Sequence, residues 1–312
     1  MSDKPALKAC YAAIPTPFFP IADVAAPPAI NYDALDRHLQ YLVDGEVDGV
    51  VVAGTTGLAS LMPHDMHVQL VEYVNRNWGK KLEIVVGDGS NCTWEAIRLA
   101  RSMEKAGVYR HLGVSPYYLK PADEGLSGHF KAVADNIDGY EILYNIPGRT
   151  AGLGIPLDVS VRLAAHPRII GQKEATGKAE TAERLVKATD GMGFTVLSGD
   201  DGMTLPMMQV GAKGVISVAV NVDPKRVSRM VHLAEVGDFK GASTINNELG
   251  GLYGALFPKR TEGNTTPNPG MLYYALRRMG LDYPAPPLPI TDGITTERAE
   301  VDKALRGLSL IE

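Results

Sequence analysis

The sequence predicts an α/β fold of one kind, a (β/α)8 barrel (TIM barrel) followed by a small helical C-terminal domain. Eight short apolar runs alternate with helix-length amphipathic segments along about 235 residues, a number and length typical of this barrel. Such repetition indicates parallel strands joined by right-handed crossovers. An open doubly wound sheet usually has a glycine-rich phosphate turn after its first strand, and Pro15-Thr16-Pro17-Phe18 does not fit that pattern.

Each predicted strand is an apolar run of the length expected for a strand buried on both faces. In chain order the runs are residues 8–16, 48–53, 82–87, 111–115, 140–145, 169–175, 194–198 and 214–220. The carboxyl ends of the strands in such a barrel meet at one rim, so residues at these ends are the candidates for function.

The segments between the strands have apolar residues at helical spacing, as in residues 32–43, 92–107 and 178–189. In the second of these, Thr93 is the predicted N-cap and Gly107 the predicted end. Its predicted apolar face consists of Ile97, Leu99, Ala100 and Met103.

The character of the sequence changes near Gly237. Two helical patterns follow, separated by the polar segment KRTEGNTTPNP, and the chain then continues through YPAPPLP into a short helix. We therefore predict a catalytic barrel over residues 1–236 and a helical C-terminal domain over residues 237–312. Residues 20–28 are predicted to form an exposed loop after the first strand.

Charge and composition argue against several classes of function. The 312 residues carry a net charge of −5 with Lys and Arg spread along the chain, so we expect neither a nucleic acid nor a membrane surface as partner. No run approaches the roughly 18 apolar residues of a membrane span. Cys10 and Cys92 show no CxxC spacing, so neither a structural zinc nor a disulfide framework is expected. We expect a soluble, cytoplasmic protein.

Hydroxyl, phenol and cationic side chains follow the predicted strand ends. Strand two leads into GTTG (54–57), strand four into PYY (116–118), strand five into YNIPGRT (144–150) and strand seven into SGDD (198–201). Strand six contains Lys173 within RIIGQKEATG, where it is unusual because lysine is among the residues least often buried. These positions favour an active site at the rim.

A lysine inside a barrel suits carbonyl chemistry. Burial lowers the pKa of a lysine amine because it disfavours the charged form, and a neutral amine attacks a ketone to form a Schiff base. A nearby tyrosine can transfer protons. The consecutive N–H groups of Gly-Thr-Thr-Gly offer a cradle for one carboxylate, and an arginine suits bidentate binding of a second.

Simpler interpretations remain open from the residues taken singly. Lys173 is also compatible with a strand-end lysine that reaches solvent, and Arg149 with a surface residue in a turn. Tyr144 and Tyr118 are compatible with core aromatics whose hydroxyls have partners.

The sequence also bears on metal binding and on two other functional classes. His64 and His67 are three residues apart and Asp200-Asp201 is an acidic pair, but surface histidines and a strand-end cap explain them better, so no metal is expected. A metal-dependent class II aldolase shares the barrel but needs His, Glu and Asp ligands. A non-catalytic barrel that senses a keto acid would also have the Gly-Thr-Thr-Gly turn to bind the carboxylate, but it would not convert the bound keto acid.

Several motifs together are similar to those of the N-acetylneuraminate lyase/dihydrodipicolinate synthase family of class I aldolases. They are GTTG, SPYY, YNIPGRT, GQKEATG, SGDDGMTLPMMQVGAKGVISV and TPNP. The similarity runs from AAIPTP at residues 12–17 to about Leu281. It implies a (β/α)8 barrel with a helical C-terminal domain, assembled as a homotetramer that is a dimer of dimers.

The resemblance also implies roles for individual residues. Lys173 would form the Schiff base with pyruvate, with no cofactor beyond this covalent imine, and Tyr144 would transfer protons. Thr55 would link Tyr144 to Tyr118, which in the family reaches into a neighbouring subunit's site, and would help to hold the pyruvate carboxylate. The implied substrate-binding positions are Thr56, Arg149, Gly199 and Ile216.

Within the family, Arg149 favours the synthases that condense pyruvate with L-aspartate 4-semialdehyde in lysine and diaminopimelate biosynthesis. The semialdehyde carries a carboxylate, and the sugar-acid lyases of the family usually lack an arginine there. Leu58 and Ala151 depart from the synthase pattern, which usually has glutamate and glycine at these positions. The alternative is a 2-keto-3-deoxy sugar-acid aldolase or dehydratase of the same pyruvate-dependent class.

A second site is predicted by analogy with the lysine-inhibited synthases. In those enzymes an amide, a carboxylate, one or two histidines and the first tyrosine of the pair bind the inhibitor between two subunits. The corresponding positions here are Ser60, His64, His67, Asn91, Glu95 and Tyr117. The resemblance thus predicts feedback inhibition by L-lysine.

Overall fold

Eight parallel strands form a barrel in the part of the chain that the structure, a computed structural model, describes: residues 4–20, 23–258 and 268–312. The strands are β1 (Cys10–Ala13), β2 (Gly49–Val52), β3 (Glu83–Val86), β4 (Arg110–Val114), β5 (Tyr140–Asn145), β6 (Ile169–Glu174), β7 (Thr195–Ser198) and β8 (Val215–Ser217). Each strand pairs with the next, and β8 pairs with β1 to close the barrel. The predicted (β/α)8 barrel is confirmed.

Helices surround and follow this barrel. In the described ranges they are α1 (Tyr32–Asp44), α2 (His64–Trp78), α3 (Thr93–Lys105), α4 (Asp123–Asp135), α5 (Leu157–Ala164), α6 (Ala179–Ala188), α7 (Thr204–Gln209), α8 (Pro224–Glu235), α9 (Phe239–Leu256), α10 (Gly270–Arg278) and α11 (Thr295–Gly307). The first eight follow one strand each. None of the described helices is long and apolar enough to cross a membrane.

All eight predicted strands are present, but several are shorter than the apolar runs. The last run continues to residue 220, whereas β8 ends at Ser217. Beyond this residue the N–H groups of Val218 and Ala219 donate to the buried carboxylate of Asp201, at 3.2 and 3.0 Å, and not to a neighbouring strand. A carboxylate from another loop therefore ends the strand, which an apolar pattern does not reveal.

The predicted N-cap of the third helix is wrong by one residue. α3 begins at Thr93 itself, and its N-cap is Cys92, which has an extended backbone. The Thr93 hydroxyl lies 2.9 Å from Nδ1 of His129 in α4, so a tertiary hydrogen bond occupies the group that the local pattern assigned to capping. Ala100 and Met103 of the predicted apolar face are fully buried.

The C-terminal helices share one apolar core with the barrel. Leu249 in α9, Met271 in α10 and Val301 in α11 are buried in the same cluster as the barrel strands. The hydroxyl of Tyr273 in α10 donates to the carbonyl of Thr16, just after β1. These contacts hold the C-terminal helices against the carboxyl end of the barrel. The division of the chain at residue 237 remains a prediction.

Candidate active site

A cavity of about 420 Å³ opens at the carboxyl ends of the strands. Five of the residues predicted for catalysis and substrate binding line it, and they come from the ends of β2, β5 and β6 or the turns that follow. They are Thr55, Thr56, Tyr144, Arg149 and Lys173. The barrel therefore brings together, at the predicted rim, residues that are more than 100 positions apart in the sequence.

Lys173 and Tyr144 face each other in this cavity. They are register partners on the neighbouring strands β6 and β5, and the lysine Nζ lies 4.3 Å from the centroid of the tyrosine ring. Lys173 is only 6% exposed although it bears an amine. The interpretation of this lysine as a strand-end residue that reaches solvent is wrong.

Gly199 leaves room for the Lys173 side chain. A Cβ atom at this position would lie 2.9 Å from Cε and 3.0 Å from Cγ of the lysine, and 2.8 Å from Cβ of Ala175. Any larger residue would push the lysine stem out of its place. The predicted role of Gly199 in shaping the pocket therefore has a steric basis, although its own atoms are not part of the cavity wall.

The Gly-Thr-Thr-Gly turn is held across the mouth of the barrel. The chain leaves β2 through Ala53, which has a φ of +53°, a backbone conformation that residues other than glycine rarely adopt. The Thr16 hydroxyl donates to the Gly57 carbonyl at 2.7 Å, and the Leu58 N–H donates to the Thr55 carbonyl at 3.1 Å. The turn is thus fixed before any ligand arrives.

Arg149 lies at the outer edge of the cavity in a 3-10 turn, Pro147–Arg149. Its Nη2 donates to the backbone carbonyl of Asn268 at 3.0 Å, and the Asn268 side-chain amide donates to the Thr56 hydroxyl at 3.2 Å. Asn268 therefore connects the arginine to the threonine turn. Sequence reasoning assigned this asparagine no role, although the motif TPNP that contains it was recognised.

Besides Gly199, three predicted residues lie outside the cavity wall. Tyr118 is 87% exposed, and its φ is +68°. Ile216 is buried in β8, and Asn91 lies in the loop before α3. The two departures from the synthase pattern also lie off the wall, since Leu58 is buried in the core and Ala151 is exposed in a turn.

Most of the predicted inhibitor residues line the same cavity. Ser60, His64, His67, Glu95 and Tyr117 line it. Two buried ring nitrogens there, Nδ1 of His64 and Nε2 of His67, have no hydrogen-bond partner. Burial lowers the pKa of His67, against the opposing charge of Asp88, so its imidazole is neutral at pH 7.

The acidic pair after β7 has a structural explanation. Asp200 accepts from the Met203 N–H at 3.3 Å. Asp201 accepts from the Ser217 hydroxyl at 2.5 Å and also from the N–H groups of Val218 and Ala219. The predicted strand-end cap is therefore confirmed. Among the described residues, no three His, Cys, Asp or Glu side chains converge in a way that could hold a metal ion.

The closed parallel barrel defines the chain as a (β/α)8 protein, and its candidate active site is centred on the buried Lys173. The chain belongs to the dihydrodipicolinate synthetase family, whose model matches residues 11–308. The predicted family is confirmed.

Curated relatives and solved structures agree with this family. The chain is 38% identical over 283 residues, 91% of its length and 94% of the relative's, to a 4-hydroxy-tetrahydrodipicolinate synthase of Pelobacter propionicus. It is similar to the pyruvate complex of a chloride-inhibited dihydrodipicolinate synthase from Acinetobacter baumannii, with a TM-score of 0.91 and 34% sequence identity. That match covers 98% of this chain and 100% of the other. It is also similar to a lysine-bound dihydrodipicolinate synthase from Cyanidioschyzon merolae, with a TM-score of 0.88 and 32% sequence identity. That match covers 97% of this chain and 99% of the other.

Proposed function

We propose that this chain is a 4-hydroxy-tetrahydrodipicolinate synthase, a lyase that condenses pyruvate with L-aspartate 4-semialdehyde on the route to diaminopimelate and lysine. The observation that carries the proposal is the buried Lys173 facing Tyr144, with Arg149 at the mouth of the same cavity. The names of the curated relatives support it, at identities of 38% and 37% over about nine tenths of the chain for two of them.

The first half of the reaction uses the lysine, the tyrosine and the threonine turn. The Lys173 amine attacks the ketone carbon of pyruvate, and loss of water leaves an imine. Tyr144 moves the protons of these steps, and Thr55 relays them toward Tyr118 of a second copy of the chain, since this chain's own Tyr118 is exposed outside the cavity. The N–H groups and hydroxyls of Thr55 and Thr56 hold the pyruvate carboxylate. The covalent imine takes the place of a cofactor.

The second half joins the two substrates. Loss of a methyl proton converts the imine into an enamine, whose carbon attacks the aldehyde carbon of the semialdehyde, and the aldehyde oxygen takes up a proton to become a hydroxyl. The amine of the semialdehyde then attacks the imine carbon and displaces Lys173, which closes the ring and frees the lysine. Arg149 binds the carboxylate of this second substrate, in a position that the Asn268 carbonyl helps to fix. The sugar-acid alternative was based on Leu58 and Ala151, and neither touches the cavity, so the structure offers it no specific support.

Replacing Arg149 with alanine tests the choice of second substrate. We expect kcat/KM for L-aspartate 4-semialdehyde to fall by roughly 10- to 100-fold, since a hydrogen bond to a charged group contributes about 1.5–3 kcal/mol. The KM for pyruvate should change little. Arg162→Ala is the matched control because, among the described residues, this exposed arginine forms an ion pair only with exposed Asp158 on α5. Unchanged semialdehyde kinetics in Arg149→Ala contradicts the substrate assignment while leaving the family intact.

We further propose a homotetramer built as a dimer of dimers, in the cytoplasm. Tyr118 and the following Leu119 are exposed aromatic and aliphatic side chains on one projecting turn, which suits contact with a second copy of the chain. Sedimentation velocity measures the assembly directly. The cytoplasmic location is supported by Cys10 and Cys92, both free thiols.

L-Lysine is proposed as an inhibitor that binds in the cavity beside His64, His67 and Glu95. The neutral His67 ring offers an unpartnered nitrogen to an ammonium group, and Glu95 offers a carboxylate, although Arg98 already occupies that carboxylate with two hydrogen bonds at 2.7 and 2.8 Å. We expect inhibition at millimolar lysine, with heat of binding in a calorimetric titration. Glu95→Gln should weaken it, and Glu183→Gln on exposed α6 should not. No heat together with unchanged activity removes the proposal.

A further inference from the structure

A cluster of four buried polar side chains lies on the outer face of the barrel, directly behind Lys173 and Tyr144. The strand alternation that turns Lys173 into the cavity turns its neighbours on β6 outward, toward α5. We call this set the Glu174 cluster. It consists of Ser160, Gln172, Glu174 and Asn145, all at most 2% exposed.

Every group that faces the Glu174 carboxylate is a donor. Oε2 accepts from the Asn145 amide at 2.8 Å and from the Gln172 amide at 3.0 Å. Oε1 accepts from the backbone N–H of Thr176 at 2.9 Å. A carboxylate accepts at both oxygens, whereas an amide there would direct its own N–H groups against at least one donor. The cluster therefore requires a side chain that accepts hydrogen bonds at both of its terminal oxygens.

The cluster joins β5 to β6 one residue beyond the catalytic pair. In the strand register Tyr144 pairs with Lys173, and Asn145 pairs with Glu174. The side-chain hydrogen bond between Asn145 and Glu174 thus locks the two strands together immediately next to the lysine and tyrosine. Since both strands end here, the backbone ladder alone holds these last residues weakly.

The same side chains fix the loops around the site. The side-chain amide oxygen of Asn145 accepts from the backbone N–H of Ile155 at 2.9 Å. The side-chain amide oxygen of Gln172 accepts from the hydroxyl of Ser160 in α5 at 2.8 Å. The backbone carbonyl of Glu174 accepts from the Gly199 N–H at 2.8 Å. That contact holds the glycine whose missing side chain accommodates the lysine stem.

We propose that Glu174 is a positioning residue for the proposed reaction, which acts through Asn145 and the strand ends to hold the Lys173 amine against the Tyr144 ring. It touches neither substrate nor cavity. Its contribution is to the rate of imine formation and proton transfer, because misplacement of reacting groups by a fraction of an ångström to 1 Å slows a reaction by up to about 100-fold. The inference rests on the proposed Schiff-base function.

Glu174→Gln tests this role because it preserves shape and removes one acceptor. We expect the rate of borohydride-trapped imine formation at saturating pyruvate, and kcat, to fall roughly tenfold with little change in the KM for pyruvate. Asn145→Asp alone should be at least as slow, since it sets two carboxylates against each other.

The double variant Asn145→Asp/Glu174→Gln exchanges donor and acceptor. The new carboxylate at position 145 accepts from the new amide and still accepts from the Ile155 N–H. When the Gln172 amide is flipped, its oxygen accepts from the second N–H of the new amide at position 174, and its nitrogen donates to the Ser160 hydroxyl. Each contact of the cluster is then a hydrogen bond again. We expect the trapping rate to return to within about threefold of the wild-type rate.

Thermal unfolding of each variant separates positioning from folding. A wild-type trapping rate in Glu174→Gln, or a double variant that regains thermal stability without regaining its trapping rate, overturns the inference. If Glu174→Gln does not fold, Gln172→Met removes one donor bond at similar volume and should slow trapping about two- to fivefold; an unchanged rate counts against the inference. A wild-type protein that never traps pyruvate contradicts the proposed function itself.

Discussion

Lys173→Ala is expected to abolish turnover and borohydride trapping of pyruvate while leaving a folded barrel. The lysine is the nucleophile of the proposed reaction, and loss of a nucleophile lowers the rate by about 10⁴-fold or more. Folding should survive because Lys173 forms no ion pair with the described residues, so the substitution removes a buried amine without leaving a charged partner among them unpaired. Steady-state kinetics and mass spectrometry after reduction measure the two effects, and circular dichroism measures the fold.

Lys178→Ala is the matched control for this substitution. It lies five residues along the chain, exposed at the start of α6, and should keep both turnover and trapping. Residual turnover in Lys173→Ala within tenfold of the wild type would show that another group carries the chemistry. Loss of activity on addition of EDTA would instead favour a metal-dependent aldolase.

The second large effect concerns stability. His111 on β4 is fully buried between strands and α3, with Nδ1 2.5 Å from Asp88 and Nε2 3.5 Å from Glu104. Glu141 on β5 is buried beside them, and it fits only because residue 113 is glycine, where a Cβ would lie 1.8 Å from its Oε1. A positive imidazolium thus stands among three acidic side chains.

The pKa values of His111 and Glu141 are both raised in this cluster. Burial disfavours the charged imidazolium, but the charge and hydrogen bond of Asp88, with that of Glu104, outweigh it and raise the pKa of His111 to about 10. Burial and the charge of Asp88 raise the pKa of Glu141 well above its usual range, against the charge of His111. The folded state therefore binds more protons here than the unfolded chain does.

His111→Gln is expected to lower the free energy of unfolding by about 3 kcal/mol near pH 6, since it leaves buried carboxylates without their cation. A group whose folded pKa is raised stabilises fully below its unfolded value, roughly 6.5 here, and loses that contribution as pH rises through its folded value. The difference between wild type and variant should therefore shrink between pH 6.5 and about 10.

Urea unfolding at pH 6, 8 and 10 measures this difference. His166→Gln is the control, because His166 pairs at 3.1 Å with Asp135, a carboxylate near the surface. That variant should change stability by no more than about 1 kcal/mol. A difference for His111→Gln that stays constant from pH 6 to pH 10 would contradict the account of this cluster.

The barrel could be predicted from the sequence because its strands are buried on both faces. Such strands appear as apolar runs, and a lysine within one of them, Lys173, is conspicuous. The order of the strands then placed Thr55, Tyr144 and Arg149 at the same rim. The family motifs assigned these residues their chemistry, and the cavity contains them all.

Residues whose partners are distant in sequence could not be predicted in this way. Asn268 bonds to Thr56 across 212 positions, and nothing in its local pattern indicates that contact. Glu174 follows the lysine in a recognised motif, yet the groups that donate hydrogen bonds to its carboxylate belong to β5, to β6 and to the loop after β6. Thr93 was assigned to capping by a local preference that a bond to His129 overrides.

The claim that Lys173 forms an imine with pyruvate is tested most directly by one measurement. Wild-type protein is incubated with pyruvate, reduced with borohydride and digested, and the modified peptide is identified by mass. We predict one reduced pyruvate per chain, on Lys173, and a native imine that turns over with L-aspartate 4-semialdehyde in preference to sugar-derived aldehydes. The absence of an adduct, or an adduct on a different lysine, would contradict the account.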